Sequence, residues 1–198
     1  MNRFLIVIFI IVLFLSACSN NTQKTHSNNE KVITTDDKQK LKIPKHPERI
    51  VVLAPYYAGG IKYLDGKIVG VSKQIEQAAV LNKQFKDIKK IDEHNVEALV
   101  KLKPDLIITS NTDKNLKKLT KIAPTVPIKY DKRDYIAQQK YLGTLLGKEE
   151  ALNNWVQKWE EQSQKNSKVI QNEIGNATVS IMEPFNKSFY LYDNNYGH

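Results

Sequence analysis

The stretch that decides the fold is residues 148–174, with the sequence KEEALNNWVQKWEEQSQKNSKVIQNEI. Its apolar residues recur at helical spacing near both ends, in residues 151–159 and 169–174, whereas residues 160–168 are polar throughout. A helix that is polar on all sides is stable when it bridges two bodies through solvent. At about 1.5 Å per residue, this helix would be roughly 40 Å long. The pattern therefore predicts a rigid connecting helix over residues 148–174, with one lobe before it and the start of another after it.

The residues before this helix alternate between strand-like and helix-like segments. Continuous apolar runs predict strands at 49–53, 67–71, 105–109 and 125–130, and a small hairpin is predicted from 32–35 and 41–43. Helical spacing predicts helices after the turn at 54–60 and at 95–102, 116–122 and 135–146, with Asn95 as an N-cap. Strands that alternate with helices in this way predict a mainly parallel α/β sheet.

The residues after the connecting helix contain two further strand-like runs, at 177–182 and 188–192, which residues 183–187 join. A lone two-stranded hairpin is marginally stable in water. We therefore interpret residues 175–198 as the start of an incomplete second lobe.

The N-terminal residues 1–17 are typical of an export signal. Arg3 precedes an unbroken apolar run at 4–15, which is shorter than the roughly 20 residues that span a bilayer. The sequence LSAC at 15–18 resembles a bacterial lipobox, which predicts diacylation of Cys18; an ordinary signal peptide with an incidental cysteine is the alternative. Residues 19–31 contain no apolar side chain, so we expect a flexible tether over 18–32.

The chemistry of the sequence favours binding over catalysis. It contains no nucleophile elbow, Walker loop, HExxH pair or CxxC motif, and its four histidines are widely spaced. We therefore predict no enzyme activity, no protein-bound metal and no cofactor. The net charge of +9 comes from scattered lysines without an aromatic-basic motif, which favours a solvated basic surface over nucleic-acid binding.

Tyrosines stand at the predicted strand ends and in the C-terminal segment. Tyr56 and Tyr57 follow the first buried strand, and Tyr130 follows the fourth. Ligands of open α/β sheets bind outside the carboxyl ends of the strands, and tyrosine offers a flat apolar ring with a hydroxyl group. For each tyrosine, packing within the protein remains an equal alternative to ligand contact.

Several motifs together carry a family resemblance. They are PERIVVLAPYYAGG at 47–60, KPDLII at 103–108, NTDK at 111–114 and IAPTV at 122–126. With the lipobox, the tether and the long helix, they make the chain resemble the ferric hydroxamate siderophore-binding lipoproteins of Gram-positive iron uptake systems. These are class III substrate-binding proteins.

The resemblance implies two α/β lobes joined by a rigid helix, with the ligand cleft between them. The N-terminal lobe would be residues 33–147. The siderophore's own oxygens would hold the iron, so the protein would need neither metal ligands nor a cofactor. The loaded receptor would be a monomer, lipid-anchored on the extracellular face of the cell membrane, and would deliver its ligand to an ABC transporter permease. Glu97 matches a family glutamate that pairs with a permease arginine.

The resemblance and the placement of the tyrosines together give a set of expected ligand-binding residues. They are Tyr57, Ser110, Tyr130, Tyr190, Tyr192, Tyr196 and His198. Three of them depart from the family: Ser110 replaces a tyrosine, Tyr196 a tryptophan and His198 an arginine. Arginine is permanently charged, whereas histidine is mostly neutral at pH 7, so we expect weaker binding or a different siderophore.

Three alternatives to a hydroxamate receptor remain open. One is a receptor for another iron chelate, such as haem or a catecholate. Another follows from length, because the second lobe of the family is longer than residues 175–198. We expect either a fragment or a truncated product, and a truncated product could be a surface lipoprotein that binds no siderophore. The third is a secreted enzyme, for which no catalytic residue can be named.

Overall fold

The computed structural model of the protein describes residues 29–92, 95–175, 177–178 and 180–192. The predicted signal peptide, Cys18 and most of the tether lie outside these residues. In chain order the elements are β1 (Glu30–Thr34), β2 (Lys40–Pro44), β3 (Ile50–Val52), α1 (Pro55–Tyr63), β4 (Ile68–Ser72), a 3-10 turn (Lys73–Gln77), α2 (Ala79–Gln84), β5 (Lys89–Ile91), α3 (Val96–Leu102), β6 (Leu106–Ser110), α4 (Leu116–Leu119), β7 (Thr125–Ile128), α5 (Tyr135–Leu146), α6 (Glu149–Ile174), β8 (Ile181–Phe185) and β9 (Ser188–Tyr192).

Strands β3 to β7 form one five-stranded sheet in the order β5-β4-β3-β6-β7. Each pair of neighbours is parallel, and the central register places Ile50 beside Leu106 and Val52 beside Ile108. The predicted parallel α/β fold is thus confirmed. The prediction of only four strands is wrong, because β5 is a three-residue edge strand whose two lysines give it no apolar run.

Alternate residues of the central strands point to opposite faces of the sheet, and each face has its own core. Ile50 and Val52 belong to the larger core, which α1, α5 and the first turns of α6 cover. Val51 and Ile107 belong to the smaller core, which α3 and α4 cover. Continuous apolar strands are what a sheet buried on both faces requires.

The hairpin of β1 and β2 packs onto the larger core through Ile33 and Ile43. Its turn is closed by a hydrogen bond from the Thr35 N–H to the Gln39 carbonyl, 2.9 Å long, with Lys38 at φ 64°. The predicted hairpin is confirmed. The predicted end of the tether at residue 32 is wrong, because β1 begins at Glu30 and already pairs with β2.

Helix α6 has two halves with different surroundings. Leu152 and Val156 are buried against the lobe, and Gly143 of α5 permits this approach, since a Cβ there would lie 2.8 Å from Leu152 Cδ2. From residue 157 to residue 175 every side chain is exposed, including the apolar Val169 and Ile170. The helix spans 26 residues and is therefore about 39 Å long. The predicted long helix with a polar middle is confirmed.

Strands β8 and β9 form a separate antiparallel sheet. The two residues Asn186 and Lys187 make the turn, with Asn186 at φ 55°. The predicted first strand at 177–182 and five-residue connection are wrong, because β8 runs from Ile181 to Phe185 and the turn is tighter. Positive φ is tolerated by asparagine, which explains why the chain reverses there.

Candidate functional site

A cavity of about 300 Å³ opens at the carboxyl edge of the five-stranded sheet. Its wall is made by the residues that follow four of the strands. They are Leu53 to Tyr56 after β3, Ser72 and Gln74 at the end of β4, Ile91 and Asp92 at the end of β5, and Thr109, Ser110, Thr112, Asp113, Lys114 and Asn115 at the end of β6. This is the edge at which open α/β sheets bind ligands.

The loop between β6 and α4 is fixed by Asp113. Its Oδ2 accepts a hydrogen bond from Thr109 Oγ1 at 2.6 Å, and its Oδ1 accepts one from the Asn115 N–H at 2.8 Å. Ser110 and Thr112 share a hydrogen bond between their hydroxyl oxygens, 2.8 Å apart. The structure thus places the predicted Ser110 in the wall of the cavity, held by its own loop.

Three tyrosines cluster beside the cavity. Tyr56 lies edge-to-face against Tyr57, with 5.4 Å between ring centroids, and against Tyr130, with 5.6 Å between centroids. Tyr56 and Tyr130 are 58% and 72% exposed, whereas Tyr57 is 5% exposed. The predicted Tyr130 therefore belongs to an exposed aromatic surface, and Tyr56 connects that surface to the cavity wall.

Tyr57 does not fit its predicted role as a ligand contact. Its ring is part of the larger core, where burial, helped by the neighbouring Tyr56, raises the pKa of Tyr57 to about 12. The helical repeat of α1 explains the burial of Tyr57, because Tyr57, Ala58 and Ile61 form the buried face of this helix. The same repeat, read from the sequence, could have indicated that Tyr56 and not Tyr57 is available to a ligand.

A buried ion pair lies next to the tyrosine cluster. The Asp36 carboxylate, in the turn of the β1–β2 hairpin, accepts two hydrogen bonds from the Arg133 guanidinium. The Arg133 guanidinium also stacks 3.8 Å from the ring centroid of Tyr141. Burial alone would raise the pKa of Asp36, but the hydrogen bonds from Arg133 and from the Lys129 N–H hold it below its ordinary value. Sequence reasoning missed Asp36, because its partners lie more than 90 residues away in the chain.

The other predicted residues lie elsewhere or outside the described residues. Tyr190 and Tyr192 stack on β9, with centroids 6.3 Å apart, and the Tyr192 hydroxyl donates to the Glu183 carboxylate. Neither tyrosine lines the cavity, whose walls come from residues 53–119. Glu97 is exposed in the first turn of α3. Tyr196, His198 and Cys18 lie outside the described residues.

Within the described ranges no group of three or more His, Cys, Asp or Glu side chains is placed to hold a metal ion. Among those same residues, no helix has the length and apolar character to span a bilayer.

The chain is similar to known iron-chelate receptors. The profile of the family described as Periplasmic binding protein matches residues 50–198. The Iron(3+)-hydroxamate-binding protein FhuD of Bacillus subtilis (strain 168) is 34% identical over 195 residues, which cover 95% of this chain and 62% of that protein. The structure of unliganded FhuD2 from Staphylococcus aureus is 46% identical, with a TM-score of 0.79 over 84% of this chain and 61% of that one.

A second structure of FhuD2, with bound ferrioxamine B, is 45% identical, with a TM-score of 0.69 over 74% of this chain and 57% of that one. The chain therefore spans about three fifths of the length of the relatives that it matches.

Proposed function

Because this chain belongs to the periplasmic binding protein family, we propose that it captures ferric hydroxamate siderophores outside the cell and delivers them to an ABC transporter permease. Its five-stranded lobe would supply one wall of the binding cleft. The single observation that carries the proposal is the similarity to the iron(3+)-hydroxamate-binding protein, which extends over 95% of this chain.

The geometry of the carboxyl edge supports this ligand class. Ferrioxamine-type chelates are bulky, and their iron is already enclosed by hydroxamate oxygens. Such a ligand needs apolar area and hydroxyl groups from the protein and no metal ligand. Tyr56 and Tyr130 offer two exposed rings in edge-to-face contact, beside a wall that carries Ser110 and Thr112. Tyrosine presents both kinds of surface at once.

The remaining parts of the proposal concern the place of action and the partner. Diacylation of Cys18 would anchor the protein on the extracellular face of the membrane, since two acyl chains hold a protein stably. Glu97, exposed at the start of α3, would pair with an arginine of the permease. The receptor would act as a monomer, and the siderophore would bring the iron without any cofactor.

Calorimetric titration of the full chain with ferrioxamine B tests the proposal. We expect saturable binding, and a loss of about tenfold in affinity in Tyr56→Ala, which removes an exposed aromatic contact. Tyr63→Ala is the matched control, because Tyr63 is similarly exposed at the other end of the same helix. No heat of binding in the unaltered chain would reject the proposal.

A ferric catecholate is the second candidate ligand. The observation that favours it is Lys114 in the cavity wall of a chain whose net charge is +9, because catecholate chelates are anionic. A competition experiment distinguishes the ferric hydroxamate from the ferric catecholate as the ligand. Displacement of ferrioxamine B by a ferric catecholate at equal concentration would favour the catecholate, and its failure to compete would favour the hydroxamate.

A further inference from the structure

The turn of the N-terminal hairpin reaches across to the segment that follows β7. Asp36 Oδ2 accepts a hydrogen bond from the Lys129 N–H at 2.8 Å and one from Arg133 Nη1 at 3.0 Å. Asp36 Oδ1 accepts from Arg133 Nη2 and lies 3.3 Å from Lys132 Nζ. The Asp36 side chain is 3% exposed. One buried carboxylate therefore holds the segment at residues 129, 132 and 133.

Tyr130 sits inside the segment that Asp36 holds. It follows Lys129 directly, and its ring is 72% exposed, so packing into the core does not fix its position. The structure gives its ring one aromatic contact in the described residues, with Tyr56 at 5.6 Å. The backbone just before Tyr130 is held by the hydrogen bond from the Lys129 N–H to Asp36, and after Tyr130 the side chains of Lys132 and Arg133 reach back to the same carboxylate. These contacts restrict where the Tyr130 ring can lie.

We propose that Asp36 is a positioning residue for Tyr130, and that the N-terminal hairpin is thereby part of the ligand-binding surface. The inference rests on the proposed function. A pre-positioned exposed ring loses less conformational freedom when a ligand binds, so fixing its backbone raises affinity without a new contact.

Asp105 provides a matched control within the same fold. Like Asp36, it accepts hydrogen bonds from a distant segment, here from the Glu48 N–H at 2.7 Å and the Arg49 N–H at 2.9 Å. It precedes β6, so it lies at the amino edge of the sheet, opposite the cavity. Both aspartates join distant segments, but only Asp36 holds a residue of the aromatic surface.

The test combines a spectroscopic and a binding measurement on the full chain. Fluorine NMR of protein labelled with 3-fluorotyrosine reports on each ring, and Tyr130→Phe identifies the resonance of Tyr130. We expect Asp36→Ala to shift or broaden that resonance and to weaken ferrioxamine B binding by about tenfold. We expect Asp105→Ala to leave the resonance unchanged and the affinity within about twofold. Where Asp36→Ala is not folded by circular dichroism, Asp36→Ser replaces it, because serine suits a turn but its short hydroxyl cannot keep the contacts with both Lys129 and Arg133.

The results separate the two proposals. An unchanged Tyr130 resonance in a folded Asp36 variant overturns the positioning role, as does an equal change in Asp105→Ala. If the unaltered chain fails to bind ferrioxamine B, the proposed function fails, and the Tyr130 resonance alone decides whether Asp36 positions that ring.

Discussion

Strands β6 and β9 have similar apolar content and very different surroundings. Four of the five residues of β6 are buried, whereas four residues of β9 are exposed and the fifth is half-buried. Strand β6 is an interior strand of a sheet that helices cover on both faces, whereas β9, within the described residues, pairs with β8 alone. An apolar, strand-like sequence is therefore enough to form a strand, but how much that strand stabilises the protein depends on whether other elements pack against it.

The same contrast runs along helix α6. Its first two turns pack on the lobe through Leu152 and Val156, and its remaining turns are exposed. One helix therefore contains an anchored half, residues 149–156, and a projecting half, residues 157–174. The stability of the lobe should depend on the first half and be nearly independent of the second.

The largest expected effect is the difference in stability loss when a leucine is truncated in β6 and in β9. Leu106→Ala removes a side chain that is fully buried, so we expect the free energy of unfolding to fall by about 2–5 kcal/mol. Leu191→Ala truncates the same residue type at a position that is 63% exposed, and its effect should stay within about 0.5 kcal/mol. Urea unfolding followed by circular dichroism measures both. Equal losses in the two variants would show that β9 is packed as tightly as β6.

A smaller effect separates the two halves of α6. Val156→Ala removes two methyl groups from a buried contact, and we expect a loss of about 1–2 kcal/mol. Val169→Ala makes the same change at a position that is 54% exposed, where the better helix propensity of alanine should leave stability unchanged or slightly higher. Thermal unfolding of the two variants compares them directly. A clear loss of stability in Val169→Ala would contradict the division of the helix.

The smallest expected effect is on the free energy of unfolding at acid pH, to which we expect the β1–β2 hairpin to contribute and the β8–β9 hairpin not to contribute. The pKa of Asp36 is lowered in the folded protein, so its ion pair stabilises the fold above its usual pKa of 3.8, and this contribution is lost as the pH falls through the lowered value. Asp36→Asn should therefore flatten the decline of stability below pH 3.8.

Leu191→Ala is the control for this prediction. It changes the exposed β8–β9 hairpin without altering a titratable group, so the decline of stability at acid pH should match that of the unaltered chain. Urea titrations between pH 2 and pH 6 give both profiles. An unaltered acid decline in Asp36→Asn would show that Asp36 does not carry it.

The sequence was sufficient for the parts of the fold that local pattern determines. The boundaries of α5 and the long helix follow from helical spacing, and the N-cap Asn95 accepts a hydrogen bond from the Ala98 N–H, as its position predicts. The edge strand β5 could not be found in this way, because Lys89 and Lys90 are set beside β4 by the packing of the whole sheet.

The site was predictable in position and less so in detail. The carboxyl edge and Tyr130 could be inferred from strand ends, whereas Ser110 came from the family resemblance, and ligand contact by either residue stays a prediction. The choice between Tyr56 and Tyr57 required the phase of α1, and the role of Asp36 required knowledge of a contact across 97 residues. Contacts of this kind depend on tertiary packing, which no local pattern records. The roles of Tyr190, Tyr192, Tyr196 and His198 remain predictions.

Hydrogen exchange of the full chain, with and without ferrioxamine B, tests most directly whether the carboxyl edge of the sheet is the binding surface. We predict added protection in residues 54–57, 110–115 and 129–133, where the cavity wall and the tyrosines lie. Added protection only at the amino edge, in residues 45–49 and 103–105, or none at the carboxyl edge with ligand bound, would contradict this account.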